Sequence, residues 1–162
     1  ERYKQMGKIK RIVLPSSLIE ITPNCFEHMQ DGKEVNIPSA FEKNVISLCQ
    51  IEWKKVVAHS TNKKFKVKNH LLLSKSGKKV YGCIEKSKKI KVPNGVETII
   101  NDAFSGRRIK EIVLPKTTKK IGSEAFSGSR ITKFCINLKN KYMLRIMDVY
   151  ITERAENWLR CA

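Results

Sequence analysis

Apolar and polar residues alternate along this chain in short bursts, and most of the bursts stop at a proline. Ile12 and Leu14, Val35 and Ile37, Ile90 and Val92, and Ile112 and Leu114 stand three and one positions before Pro15, Pro38, Pro93 and Pro115. Phe134 and Ile136 hold the same two positions before Asn137, where the proline is lost. Alternation over so short a run predicts a strand with this row of side chains facing inward. Val13, Asn36, Lys91, Val113 and Cys135 lie between them and fall on the opposite face. Each proline ends its strand where no further ladder donor is needed and holds the preceding residue extended.

The bursts belong to a longer repeat. Residues 85–106, EKSKKIKVPNGVETIINDAFSG, are restated by residues 107–128, RRIKEIVLPKTTKKIGSEAFSG, at an offset of 22. Residues 9–28 carry the same frame, a looser copy starts at Gly32, and another starts at Ser129. Strands that recur with long connections pair side by side in parallel, so the units stack as coils of a solenoid. After each proline, apolar residues return at Leu18 and Ile21, Phe41, Val96 and Ile99, and Ile121, with Thr118 the exception. The unit closes on Cys25-Phe26, Ala103-Phe104 or Ala125-Phe126: the small residue permits close approach and the ring fills the space between coils.

The period breaks between residues 42 and 82. Ile46, Leu48 and Cys49 complete the second unit in a slipped register, and Ile51, Trp53, Val56 and Val57 supply a further strand. Phe65, Val67, Leu71 and Leu73 alternate, with Asn69-His70 and Ser76-Gly77 as turns, which predicts an antiparallel hairpin projecting from between the coils. Beyond Asn137 the frame disappears; Tyr142, Leu144 and Ile146 suit a strand, and Thr152 caps a short helix whose Trp158 and Leu159 cover the end of the stack.

The repeat units resemble the BspA-like leucine-rich repeat family, of the form LxxIxIPxxVxxIgxxAFxxC. Ile109, Ile112, Leu114, Pro115, Ile121, Gly122, Ala125 and Phe126 match it best. Ile90, Val92, Pro93, Val96, Ile99, Ala103 and Phe104 match in the preceding unit, and Ile9, Ile12, Leu14, Pro15, Leu18, Ile21 and Phe26 in the first. The segment from Phe65 to Val80 is similar to an insertion of the form FxVxxGxLxSxDGKxL, with Asn69-His70 where Asn or Asp followed by Gly is usual. The resemblance runs from about residue 9 to 136 and is weak from 42 to 62. It implies an α/β solenoid, a strand-dominated, right-handed leucine-rich-repeat superhelix with a parallel strand ladder and short helical corners. The expected organisation is a solenoid over residues 1–147, with the inserted hairpin at about 63–82, and a C-terminal cap over 148–162. The resemblance also implies a secreted or cell-surface module for adhesion or protein binding, with an extracellular matrix or host-surface protein as partner.

Charge adds a rival. Lys and Arg number 33 against 15 Asp and Glu, a net charge of +18, which draws polyanions without choosing among them. The outward strand face, Arg11, Val13, Glu34, Asn36, Lys89, Lys91, Glu111, Val113 and Lys133, is the candidate protein-binding surface. Lys63, Lys64, Lys66 and Lys68, with Lys75, Lys78 and Lys79 across the turn, form a candidate patch for a heparin-like glycan. The bland alternatives are a solvated sheet face and lysines that guard a hairpin edge. Nucleic acid ranks below the glycan, because no zinc-finger spacing, RNA-binding signature or phosphate loop is present. A structural spacer within a larger surface protein is the third class.

Catalysis finds little support. His28, His59 and His70 are far apart, no Cys and His share a local context, and no carboxylate pair sits in a pocket motif. Neither a metal nor a cofactor is expected. The five cysteines form no close-spaced framework, so mostly reduced thiols are expected, and no run of 18 apolar residues predicts a membrane span.

Overall fold

The computed structural model describes residues 11–136 apart from 24, 27, 28 and 30. The expected strand at 142–146, the terminal cap over 148–162, His28 and Cys161 lie outside the described residues. Within them the chain winds as a strand-dominated solenoid whose coils stack in parallel.

One wall is a parallel ladder. Strands β1 (Arg11–Ile12), β2 (Asp31–Ile37) and β3 (Glu52–Ala58) pair in that order, Val35 lying opposite Ile12 on one side and Val56 on the other. The ladder passes through a single bridge from Trp53 to Glu85. It resumes as β7 (Lys89–Lys91), β9 (Glu111–Leu114) and β11 (Lys133–Ile136), with Ile90, Ile112 and Phe134 in line. Val35, Ile37, Ile90, Val92, Ile112, Leu114 and Phe134 are all buried, the inward row that the alternation implies.

The opposite wall begins at the parallel bridge from Glu20 to Lys43. It continues as a five-stranded sheet in the order β10 (Lys120–Ile121), β8 (Thr98–Ile99), β6 (Lys79–Cys83), β5 (Leu71–Ser74) and β4 (Phe65–Lys68). β6 pairs in parallel with β8 and antiparallel with β5, so it joins the coils to the inserted segment.

That segment does not project, contrary to the sequence expectation. Leu71, Leu72 and Leu73 are all buried, and they serve two different cores. Leu71 and Leu73 pack with Val80, Val96, Ile99, Phe104 and Ile112 on the C-terminal side. Leu72 and Phe65 pack with Val35, Ile37, Phe41 and Trp53 on the N-terminal side. The hairpin is therefore a septum across the solenoid, and three consecutive leucines are what a strand buried on both faces requires. Its two-residue turn has left-handed Asn69 (φ 53) and His70 (φ 65), the twist that suits a tight antiparallel connection.

Corners are built in two ways. Val45–Gln50 is a 3-10 helix. Its three-residue period turns Val45 and Leu48 inward and leaves Ile46 exposed, which corrects the placement of Ile46 in the apolar frame. Residues 101–106 and 123–128 are turns whose backbone groups bond between coils: Phe104 N–H donates to Ala125 O at 2.7 Å and Gly106 N–H to Ser127 O at 2.8 Å. The rings follow the same stacking, Phe104 and Phe126 lying face to face at 5.3 Å with 5° between planes. Trp53 and Phe65 are core residues. The indole lies over Gly32, its register partner, where any β-carbon would overlap the ring.

Candidate recognition surface

Adjacent strands of a ladder are about 4.8 Å apart, so equivalent outward side chains on successive coils meet. Here they meet as opposite charges. Glu34 lies between Arg11 and Lys55, at 3.8 and 3.7 Å, and Glu111 between Lys89 and Lys133, at 3.0 and 3.6 Å. The other wall repeats the device, with Glu97 3.2 Å from Lys78 and 3.3 Å from Lys119. The Lys89 hydrogen bond holds the Glu111 carboxyl below its ordinary range, and bonds from Lys78 and Lys119 do the same for Glu97. Sequence reading missed Lys55 because it follows Glu34 by 21 positions rather than 22. It also missed Glu97 and Lys119, whose wall carries no proline marker.

The second outward row divides. Val13 and Val57 are 67% and 43% exposed. Asn36 lies half-buried between them, and its amide is committed to the ladder: Leu14 N–H donates to Oδ1 at 2.6 Å, and Nδ2 donates to Leu14 O at 2.9 Å. Lys91 is exposed and Val113 half-buried, but Cys135 is buried and disulfide-bonded, so it leaves the open face. The Glu85 bridge separates these two groups of strands. Glu85 accepts from Val56 N–H at 2.8 Å and contacts His70 Nδ1 at 3.0 Å, tying the septum turn to the ladder.

The lysine set is brought only partly together. Lys75 N–H donates to Lys64 O at 2.7 Å, and Lys66 lies against the turn at Gly77, so Lys63, Lys64, Lys66, Lys75, Lys78 and Lys79 gather at one end of the hairpin. Lys68 is at the far end of β4, about 10 Å away by strand rise. Lys78 is paired to Glu97, and Lys75 Nζ donates to Ser60 O at 3.1 Å.

Between the 3-10 helix and the 101–106 turn lies a cavity of about 900 Å3 that sequence reading did not anticipate. Its wall includes Ile46, Cys49, Glu52, Asp102, Arg107 and Arg108. Burial pushes the Cys49 thiol up to about 12 and the Cys83 thiol to about 11, against the opposing pull of the Arg107 charge. Both remain protonated, and neither is a nucleophile at neutral pH. Arg107 aligns with Glu85 and Ser129 at the repeat offset, so nothing in the pattern set it apart. His59 bonds its neighbour Thr61, and His70 bonds Glu85. Among the described residues, no three His, Cys, Asp or Glu side chains converge as a metal set.

The strand-proline-turn-Ala-Phe unit, with its inward row and stacked corner rings, has a counterpart among known families. A model of the BspA type leucine rich repeat region matches residues 1–71 and 74–145, in six copies. The chain belongs to this family. Its BspA-type repeats superpose on a leucine-rich repeat protein from Eubacterium ventriosum with a TM-score of 0.64 and 20% identity, covering 78% of this chain and 35% of that one. At that identity the likeness is one of fold. The pneumococcal vaccine antigen PcpA gives a TM-score of 0.48 at 13% identity, over 80% of this chain and 51% of that one. The chain thus spans between a third and about half of these larger proteins. No curated protein matches it in sequence. Among the described residues, no helix is long and apolar enough to cross a membrane.

Proposed function

We propose that this chain is a noncatalytic recognition module, secreted or displayed at a cell surface, that binds protein through the outer face of its strand ladder. The observation that carries the reading is the pair of exposed valines, Val13 and Val57, set on the ladder beside Glu34, a carboxylate that holds two cations. A fixed face with apolar points among alternating charges suits a protein partner, because little side-chain freedom is lost on docking. The basic residues of this face are partly neutralised by Glu34 and Glu111, which makes it a poor track for a polyanion. Membership of a repeat family built for interaction agrees with this role, and an extracellular matrix or host-surface protein is the partner class. In this reading the winding is right-handed, as parallel crossover connections favour. Short helical corners punctuate it, the solenoid occupies 1–147, and 148–162 cap it. In this reading the module has no catalytic role, which the protonated state of the buried Cys49 and Cys83 thiols supports.

A second reading has its own support in the lysines gathered around the 75–78 turn, where Lys63, Lys64 and Lys79 are exposed. They suit a sulfated glycan such as heparin.

The test is capture of the purified chain by a panel of purified matrix proteins, repeated with the Val13→Glu, Val57→Glu double variant. Binding to one protein that falls at least about tenfold in the variant, at unchanged melting temperature, is the expected result. A variant that binds as the wild type does overturns the assignment of this face.

A further inference from the structure

Among the described residues, Arg107 is the odd cation. Arg11, Arg108 and Arg130 are exposed, whereas Arg107 is only 7% exposed. Its backbone is fixed at both ends: its N–H donates to Phe104 O at 3.2 Å, and its carbonyl accepts from Arg130 N–H at 3.1 Å. Among the described residues, no carboxylate lies within ion-pair distance of its guanidinium and no side chain or carbonyl accepts from it. None of its guanidinium nitrogens is a fully buried atom without a partner, so its donors open onto the adjoining cavity, where an acceptor can reach them. The neighbouring thiols cannot supply the charge, because burial holds both Cys49 and Cys83 protonated.

The space beside Arg107 is large enough to admit that missing partner. The cavity, about 900 Å3, is of the size that takes small ligands, and exposed Ile46 lies at its wall. Arg108 and Lys86 add cations to the wall, while Glu52 and Asp102 add anions. This mixed lining favours a singly charged, planar anion over a doubly charged phosphate or sulfate, which the two carboxylates repel. A carboxylate meets a guanidinium in the bidentate geometry that best uses its fork of donors.

We propose that the cavity beside Arg107 is a binding site for a carboxylate group carried on a short apolar stem. The carboxylate comes either from a small free acid or from an acidic side chain of a docked polypeptide. The site is on the corner side of the coils and does not depend on the strand face.

The experiment follows the Arg107 side-chain N–H resonance in the labelled full chain during separate titrations with butyrate, inorganic phosphate and an end-blocked peptide containing one glutamate. Saturable shifts with butyrate in the millimolar range are expected, with phosphate at least about tenfold weaker. Arg107→Lys weakens the carboxylate by about tenfold or more and Arg107→Met removes its binding, read by calorimetry, while exposed Lys116→Gln leaves it unchanged. A peptide that binds tighter than butyrate assigns the carboxylate to a polypeptide, and one that binds equally or more weakly assigns it to a small acid. An Arg107 resonance unmoved by any of these to about 50 mM overturns the site. Phosphate binding tighter than the carboxylate, or full affinity in Arg107→Met, does so too. Should Arg107→Met fail to fold, the wild-type titration and Arg107→Lys decide the matter.

Discussion

Replacing Asn62 by alanine is the sharpest test of how the septum is fastened to the coils. Asn62 is 0% exposed and makes four hydrogen bonds. Its Nδ2 donates to Pro38 O at 2.6 Å and to Phe41 O at 3.1 Å, and its Oδ1 accepts from Lys64 N–H at 2.9 Å and Phe65 N–H at 2.7 Å. One side chain thus joins the second coil to the start of β4. In Asn62→Ala the Lys64 N–H can turn to water, since Lys64 is exposed, and Pro38 O keeps the Phe41 N–H at 3.3 Å, but the Phe41 carbonyl and the Phe65 N–H lose their partner. At about 1 kcal/mol or slightly more for each of these orphaned groups, the loss comes to about 2–3 kcal/mol. Asn62→Asp keeps the acceptor but sets a carboxylate against two carbonyls, so it costs at least as much. His59→Ala, three positions away in sequence but exposed, costs less than about 0.5 kcal/mol and serves as the control. Equilibrium urea unfolding gives the three values. A loss below about 1 kcal/mol in Asn62→Ala would refute the reasoning, because the Phe41 carbonyl and the Phe65 N–H would then have to find other partners.

Other consequences follow from the stack. Phe104→Ala, at a fully buried ring, costs about 3–5 kcal/mol in denaturant unfolding, and Phe126→Ala, at a half-exposed ring, about 2 kcal/mol; equal costs would contradict the difference in burial. Gly122→Ala costs about 2 kcal/mol by the same assay, because the new methyl overlaps the Asn101 backbone nitrogen where two coils touch; a neutral result would mean that the coils can part there. The carboxyls of Glu97 and Glu111 are held below their ordinary value of 4.5, so the unfolded chain binds their protons first as pH falls. Their contribution is full above 4.5 and is lost as pH drops through the lowered folded values. Melting temperature measured down through that range therefore falls less steeply in Glu97→Gln, Glu111→Gln than in the wild type, and parallel curves would remove these ladders from the acid response.

The coils were legible because their physics is periodic. An inward pair before a proline and an Ala-Phe at the corner recur at a fixed offset, and each repetition confirms the others. Lys89, Glu111 and Lys133 share that offset, so their place on one face was legible, whereas Lys55 escaped because the second coil is one residue shorter. The septum reads as a projecting hairpin in sequence because Leu71 and Leu73 fall in an alternating row. Leu72 between them was the signal that both faces are buried. Asn62 and Arg107 were not legible. A turn-forming Asn and a surface Arg look the same in sequence as a buried staple and a buried unpaired cation, since the difference lies in what other coils bring against them.

The most direct measurement of the central claim is the salt dependence of binding. The wild-type chain is measured against heparin and against the matrix protein that captures it, from low salt to about 0.5 M. Recognition by the strand face predicts that heparin affinity collapses over this range while affinity for the protein changes less than about tenfold. If the two fall in parallel, the net charge of +18 drives both, and the strand face is not a specific recognition surface.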